Sequence, residues 1–375
     1  PVLELCNECF IYDPTVQGTI FAGFRFGVTD GTFLKPAEMI NDIAGNIYTI
    51  DQRSSNHDLI LKTTAAGATT VFAGAGDLFG RLVGIGIDES RGLLYVSDAT
   101  SQQVKSIRIA TPSVITVLAG SGVAGNTDGT GTSASFRFGN QPVDELLYNE
   151  MGQGLTVDAL GNIFVGENYS TRAFSSQIRR ISPIGVARTV TGTRIIPTGG
   201  ESMVAPSGIA LNSFNEIFTT SGYASSFQGI NKFTTSGVFS NFAGQNGDAV
   251  GFSDGVGAMA QFTYPKAIRA FNNNLFIADS YNGTLRKVSP SGFVHTLAGV
   301  GAPRTNSFHA TPDYLAPREG SYRIARSFFE TDIHQFEYAA RAIRMDRVGG
   351  VAVINDGLIY VSDYGYRCIW KITIR

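Results

Sequence analysis

The chain has 375 residues, with 29 Lys plus Arg against 31 Asp plus Glu, a formal net charge of -2 and only 16% charged residues. There is no basic excess to neutralise a phosphate backbone, so nucleic acid is not an expected partner. No apolar run approaches the roughly 18 residues of a membrane helix, so no membrane span is expected, and residues 1–10 (PVLELCNECF) lack the basic start and apolar stretch of a secretory leader.

Along the chain the first recognisable element is a short strand at residues 18–23 (GTIFAG), and the same closing pattern returns at 69–74 (TTVFAG), 115–120 (ITVLAG), 187–192 (ARTVTG), 238–244 (VFSNFAG) and 294–299 (VHTLAG). A second signature alternates with it: GNIYTID at 45–51, GLLYVSD at 92–98, GNIFVGE at 161–167, NEIFTTS at 215–221, NNLFIAD at 273–279 and GLIYVSD at 357–363. Two independent markers give the same number of units. The fifth unit shows the content of one repeat: alternating stretches at 266–271, 274–278, 284–289 and 293–298, separated by Asn272-Asn273, by Tyr281-Asn282-Gly283 and by Pro290-Ser291-Gly292. Period-two alternation broken by turn residues is what four antiparallel strands require. A period of roughly 45 to 55 residues built this way predicts an all-β, six-bladed β-propeller of four-stranded blades, one domain over residues 1–375.

The last unit has a third strand at 367–373 and then ends, whereas the strand at 18–23 is spare. The N-terminal strand is therefore expected to complete the last blade, which removes an exposed sheet edge.

The wording of the blades resembles the NHL repeat family over nearly the whole chain. Residues 243–299 follow that pattern almost throughout, from the Ala-Gly turn through a Gly/Asp-rich loop, the step Phe262-x-x-Pro265, NNLFIAD and TLRKVS; the third unit follows it at 119–138, 154–169 and 177–185. Trp370 is the only tryptophan, so a periodic Trp-Asp ending is absent. The resemblance implies that the acid ending each second strand, Asp51, Asp98, Glu167, Asp279 and Asp363 with Ser221 as the exception, caps the turn into the third strand; a cation-binding ring around the channel is the alternative. It also raises a zinc-dependent lyase as a possibility, but His57, His295, His309 and His334 do not fall at equivalent inner positions, so no metal or other cofactor is expected. The Asp-Gly pairs at Asp30, Asp128 and Asp254 lack the further oxygen ligands of a calcium loop and are expected to form turns. Cys6 and Cys9 are half of a zinc spacing with no second pair; a disulfide to Cys368, toward whose blade the N-terminal segment runs, and three reduced thiols are the readings left open.

Loops after the second strands share one face of a propeller. They carry Arg53, Tyr169, Arg172, Phe174, Tyr223, Phe227, Tyr281, Tyr364, Tyr366 and Arg367, and aromatic residues with Arg are the composition of a binding surface. Packing of a blade consensus on its neighbours would place the same tyrosines there. An insertion at 300–349 breaks the rhythm. Its first half, with Phe308, Tyr314 and Tyr322, reads as extended; then Ser327 to Glu330 has capping-box form and Phe329, Ile333, Phe336 and Ile343 recur at helical spacing, predicting an amphipathic helix of about five turns. That helix either covers one end of the propeller or meets another chain.

These features together point to a non-enzymatic interaction or structural module that contacts protein partners through propeller faces and the insertion. Low charge with abundant Gly, Ser, Thr and Asn suits an extracellular, surface or virion setting. The alternatives are a propeller that binds a glycan or peptide, and a hydrolase or lyase at the channel mouth, against which stands the lack of an assembled nucleophile and base, so no catalytic residue is assigned.

Overall fold

The computed structural model describes residues 16–23, 33–53, 57–76, 78–139, 154–167, 177–190, 206–221, 227–234, 239–246, 250–299, 338–339 and 345–374. Six antiparallel sheets follow one another along the chain. In blade one the strands, inner to outer, are Pro36–Asn41, Ile47–Asp51, Leu59–Thr63 and Thr69–Ala73. Blade two has Leu82–Asp88, Leu93–Asp98, Gln103–Arg108 and Ile115–Ala119. Blade three has Leu155–Val157, Ile163–Glu167, Gln177–Ile181 and Val186–Thr189. Blade four has Pro206–Leu211, Ile217–Ser221, Phe227–Phe233 and Phe239–Asn246. Blade five has Pro265–Phe271, Asn274–Asp279, Thr284–Val288 and Phe293–Ala298.

Blade six closes the ring. Its strands Val348–Asn355, Leu358–Asp363 and Cys368–Ile374 are joined by Val16–Gly23, which runs antiparallel to Cys368–Ile374 from Val16 opposite Ile374 to Gly23 opposite Cys368. The expected N-terminal closure is thus present, two residues longer than the sequence marker. Each inner strand packs against the inner strands of both neighbours, and the first packs against the sixth.

The hydrophobic effect acts between blades. Every blade boundary holds a cluster of buried side chains: Ile50 and Ile60 with Ile85 and Val96 between blades one and two, Val104 with Phe136 and Val165 between two and three, Phe164 and Ile178 with Ile209 and Phe233 between three and four. Ala210 and Ile230 with Ile268 and Ile277 join blades four and five, Phe276 and Leu285 with Val351 and Trp370 join five and six, and Ala352 and Ile369 with Met39 and Leu61 join six and one. A second strand is flanked on both faces by such clusters, so Ile47–Asp51, Ile163–Glu167 and Ile217–Ser221 are buried along their whole length.

The Ala-Gly marker has a steric cause. Gly120 and Gly244 adopt φ of 117° and 114°, and a Cβ on either would stand 2.5 Å from the carbonyl oxygen of Gln102 or Gln228. Only glycine satisfies both conditions, so it recurs where the outer strand leaves the blade.

One expectation is corrected. A helix over 327–343 would pass through Tyr338 and Ala339, but these residues are extended and pair antiparallel with Gly18 and Gln17, adding a fifth strand to blade six. The free edge of Val16–Gly23 offers backbone donors and acceptors that a two-residue bridge satisfies. Phe308, Tyr314, Tyr322, Phe329, Ile333, Phe336 and Ile343 lie outside the described residues, as do Cys6 and Cys9 with their pairing; Cys368 is buried.

Candidate functional site

The loops after the second strands and the connections into the inner strands meet on one face of the ring. Beneath that face the strand-end acids Asp51, Asp98, Glu167, Asp279 and Asp363 are all buried. The expected cap on the turn into the third strand is present at Asp98, which accepts from the N–H groups of Thr100 (3.0 Å) and Ser101 (3.1 Å), and at Asp363, which accepts from Tyr366 N–H (3.0 Å). A more general contact was missed by the sequence reading: each acid also accepts a backbone N–H from the connection leading into its own inner strand. The donors are Leu34 and Lys35 to Asp51 (2.9 and 2.8 Å), Gly80 to Asp98 (3.1 Å), Arg137 to Glu167 (3.1 Å), Thr263 to Asp279 (2.8 Å) and Asp346 to Asp363 (2.9 Å).

The third strand supplies the countercharge at one register position, the residue opposite Val96, Val165 and Ile277. Lys105 reaches Asp98 at 2.7 Å, Arg179 reaches Glu167 at 3.2 Å, and Arg286 reaches Asp279 at 2.9 Å. Arg179 and Arg286 also bond Asp128 and Asp254 at 3.0 Å each and lie 5.1 and 5.0 Å from the rings of Phe136 and Phe262. The two described Asp-Gly pairs therefore hold guanidinium groups, and where turns were expected their glycines open the short strands Gly129–Thr130 and Gly255–Val256; Asp30 lies outside the described residues. Burial still pushes Asp279 up to about 6, against the Arg286 charge, and raises Glu167 and Asp363.

Blades without a cation at this position use other solutions. In blade six the residue is Trp370, whose indole N–H donates to Asp363 at 3.0 Å. In blade one it is Leu61, and Arg53 from the following loop pairs with Asp51 instead. In blade four it is Asn231, and the acid itself is replaced by Ser221.

Of the predicted binding residues, Arg53, Tyr281, Tyr364, Tyr366 and Arg367 are described and stand on blades one, five and six. Tyr169, Arg172, Phe174 and Tyr223 lie outside the described residues, and Phe227 begins a third strand rather than occupying the loop. The Tyr281 ring lies 4.6 Å from that of Tyr264. Tyr364 is flanked by two cations not singled out from sequence, Lys35 Nζ at 5.5 Å and the Arg347 guanidinium at 5.7 Å from its ring centroid.

Those cations have equivalent positions. Lys35, Arg81 and Arg347 each immediately precede the inner-strand residue that pairs with the strand-end acid, as the pairs Pro36 with Asp51, Leu82 with Asp98 and Val348 with Asp363 show. Comparing that one position across the repeats would have found them. Arg53 stands between Lys35 and Arg81; its N–H donates to Asp58 at 2.8 Å and its carbonyl accepts from Arg81 Nη2 at 3.3 Å. Asp58 is buried, also accepts from Leu82 N–H at 2.8 Å, and is pushed up to about 6 by burial.

Below the mouth, an ion pair joins blades one and five past the inner strand of blade six. Glu38 on the inner strand of blade one accepts from Arg269 Nη2 on that of blade five at 2.8 Å, and the same nitrogen donates to the Met39 carbonyl at 2.8 Å. Register places Glu38 where the other blades have Gly84, Gly154, Gly208, Ala267 and Gly350. A Cβ at Gly154 would meet the Gly208 carbonyl carbon at 2.7 Å, and one at Gly350 would meet Met39 N at 2.9 Å, so the small residues are set by close approach of adjacent inner strands. Burial raises the Glu38 carboxyl, opposed by the charges of Arg269 and Lys266.

His57 and His295, on blades one and five, do not share a site; His295 faces Asp254 at 3.6 Å. Among the described residues no three His, Cys, Asp or Glu side chains gather into a group that could hold a metal. No helix among the described residues is long and apolar enough to cross a membrane.

No protein-family model and no curated protein matches the sequence. Solved structures do. A protein of unknown function from Bacteroides thetaiotaomicron superposes with a TM-score of 0.64 at 11% identity, over 96% of this chain and 76% of its own. An auxiliary nutrient binding protein from Bacteroides ovatus gives 0.62 at 14% identity over 96% and 76%, and a gluconolactonase from Xanthomonas campestris gives 0.51 at 10% identity over 92% and 88%. At these identities the likeness is one of fold.

Proposed function

We propose that this six-bladed propeller, with NHL-like blades, is a non-enzymatic interaction module whose loop face and insertion contact a protein partner. The observation that carries the reading is the placement of charge on the loop face. The strand-end acids are turned inward onto backbone donors and, in blades two, three and five, onto cations of the third strand, with Arg53 reaching back to Asp51, while Lys35, Arg347, Arg367, Tyr364 and Tyr366 stand at the face. Cations and tyrosines over a rigid β scaffold are the composition of a protein-binding surface. The same inward turn counts against a hydrolase or lyase role, because carboxylates already accepting several internal hydrogen bonds are poorly placed to exchange protons with a substrate.

Small-ligand binding at the mouth is the second reading, favoured by the Glu38 and Arg269 pair below it. One structural neighbour is an auxiliary nutrient binding protein, and its likeness to this chain is one of fold.

The test compares what the chain recovers from its native source. A partner recovered with the unaltered protein should be lost with Lys35→Glu combined with Tyr366→Ala at an unchanged melting temperature. Identical recovery would overturn the role of this face. Replacement of residues 300–346 by a Gly-Ser linker tests the insertion: intact propeller and intact assembly would remove it from the contact surface.

A further inference from the structure

We infer that the mouth between blades six, one and two binds a carboxylate-rich peptide segment of a partner protein; this rests on the interaction role proposed above and names its chemistry. Three consecutive blades place a cation at the same register position, Arg347, Lys35 and Arg81, each directly before its inner strand. Arg53 fills the interval between the last two. The result is an arc around one side of the channel mouth. Lys35, Arg53 and Arg347 are partly exposed, whereas Arg81 is mostly turned onto Asp58, at 3.6 Å.

The acids near this arc are layered behind it. Asp51, Asp58 and Asp363 are fully buried and accept backbone N–H groups; Asp51 also pairs with Arg53 and Asp58 with Arg81, which takes up part of the charge of those two cations and leaves the arc strongest at its Lys35 end. Among the described residues Asp346, partly exposed, is an acid at the rim itself. A carboxylate from outside would therefore meet Lys35 and Arg347 first, in a geometry where guanidinium forks suit carboxylate oxygens.

Tyr364 and Tyr281 favour charge recognition over sugar stacking, while Tyr366 is exposed and does not discriminate between the two. A stacking platform needs an open ring face, but Tyr364 has Lys35 and Arg347 within 5.5 and 5.7 Å of its centroid, and Tyr281 lies against Tyr264. A nucleic acid strand would need a longer basic track than an arc over three blades of a chain whose net charge is -2.

The probe is a dye-labelled hexaglutamate peptide, with hexaglutamine, oligogalacturonate and a short single-stranded DNA as comparisons, followed by fluorescence anisotropy. Saturable hexaglutamate binding is expected at low salt, weakening about tenfold at physiological salt. It should fall about tenfold in Lys35→Gln and further in Lys35→Gln with Arg347→Gln, with hexaglutamine inert. The salt series uses the unaltered protein and Lys35→Gln removes only an amine at the rim, so a poorly folded Arg347 variant does not decide the outcome. Absence of hexaglutamate binding, equal affinity of Lys35→Gln, or tighter binding of oligogalacturonate or DNA would overturn the inference. If it fails while the native partner is still lost from the Lys35→Glu, Tyr366→Ala protein, the interaction face stands and only the acidic chemistry of its ligand falls.

Discussion

A guanidinium at 0% exposure, as at Arg179 and Arg286, is tolerable only when acceptors surround it. Each reaches two carboxylates and two backbone carbonyls, of Thr127 and Ser135 or of Ser253 and Gln261, which makes one side chain the fastener of a second-strand end and two stretches of the connection ahead of the inner strand. Ser221 stands where the third strand offers Asn231, but a cation is not required in every blade, since Asp363 stays buried against the Trp370 indole N–H and backbone donors. Asp58 tests this electrostatics, because burial pushes its carboxyl up to about 6 from 3.8. A raised acid binds its proton more tightly in the folded state, so its stabilising contribution is complete below the unfolded value and is lost as pH rises through about 6. Relative to Asp58→Asn, the unaltered protein should therefore gain about 1 kcal/mol between about pH 7 and about pH 5 in urea unfolding. A constant difference between the two proteins across that interval would show that Asp58 does not titrate there.

At the scale of elements, the strand Val16–Gly23 holds the ring closed without a covalent link among the described residues. Removal of residues 1–23 exposes the edge of Cys368–Ile374, and the expected outcome is aggregation or loss of a single cooperative unfolding transition. A soluble deletion with unchanged melting would show that closure is dispensable. Such strands were legible because their cause is local: alternation under two packed faces, and Gly120 and Gly244 where a Cβ cannot fit. The helix through Tyr338 and Ala339 was misread because apolar spacing says nothing about a sheet edge more than three hundred residues away in sequence. Site residues divide in the same way. Tyr364 was visible in a repeated loop, but its neighbours Lys35 and Arg347 come from separate connections, and their common position emerges only when the strand pairing is known. Glu38 did leave a signal, as a lone acid among glycines and alanine at an inner-strand position, yet its partner Arg269 lies 231 residues away.

In the whole molecule each blade buries its faces against the next, so stability accumulates around a circle of nearest neighbours. The pair of Glu38 with Arg269 is an exception, because it joins blades one and five past blade six. Arg269→Met should cost about 3 kcal/mol by leaving Glu38 buried without its cation, and adding Glu38→Gln should restore part of that loss. Strict additivity of the two changes in chemical unfolding would show the pair to be uncoupled. Blade six is also where the two ends of the chain are joined, strand against strand, and any closed hoop is weakest at its seam. The bond from Glu38 to Arg269 spans blade six on the channel side, so the hoop is fastened at two radii, strand to strand outside and charge to charge inside.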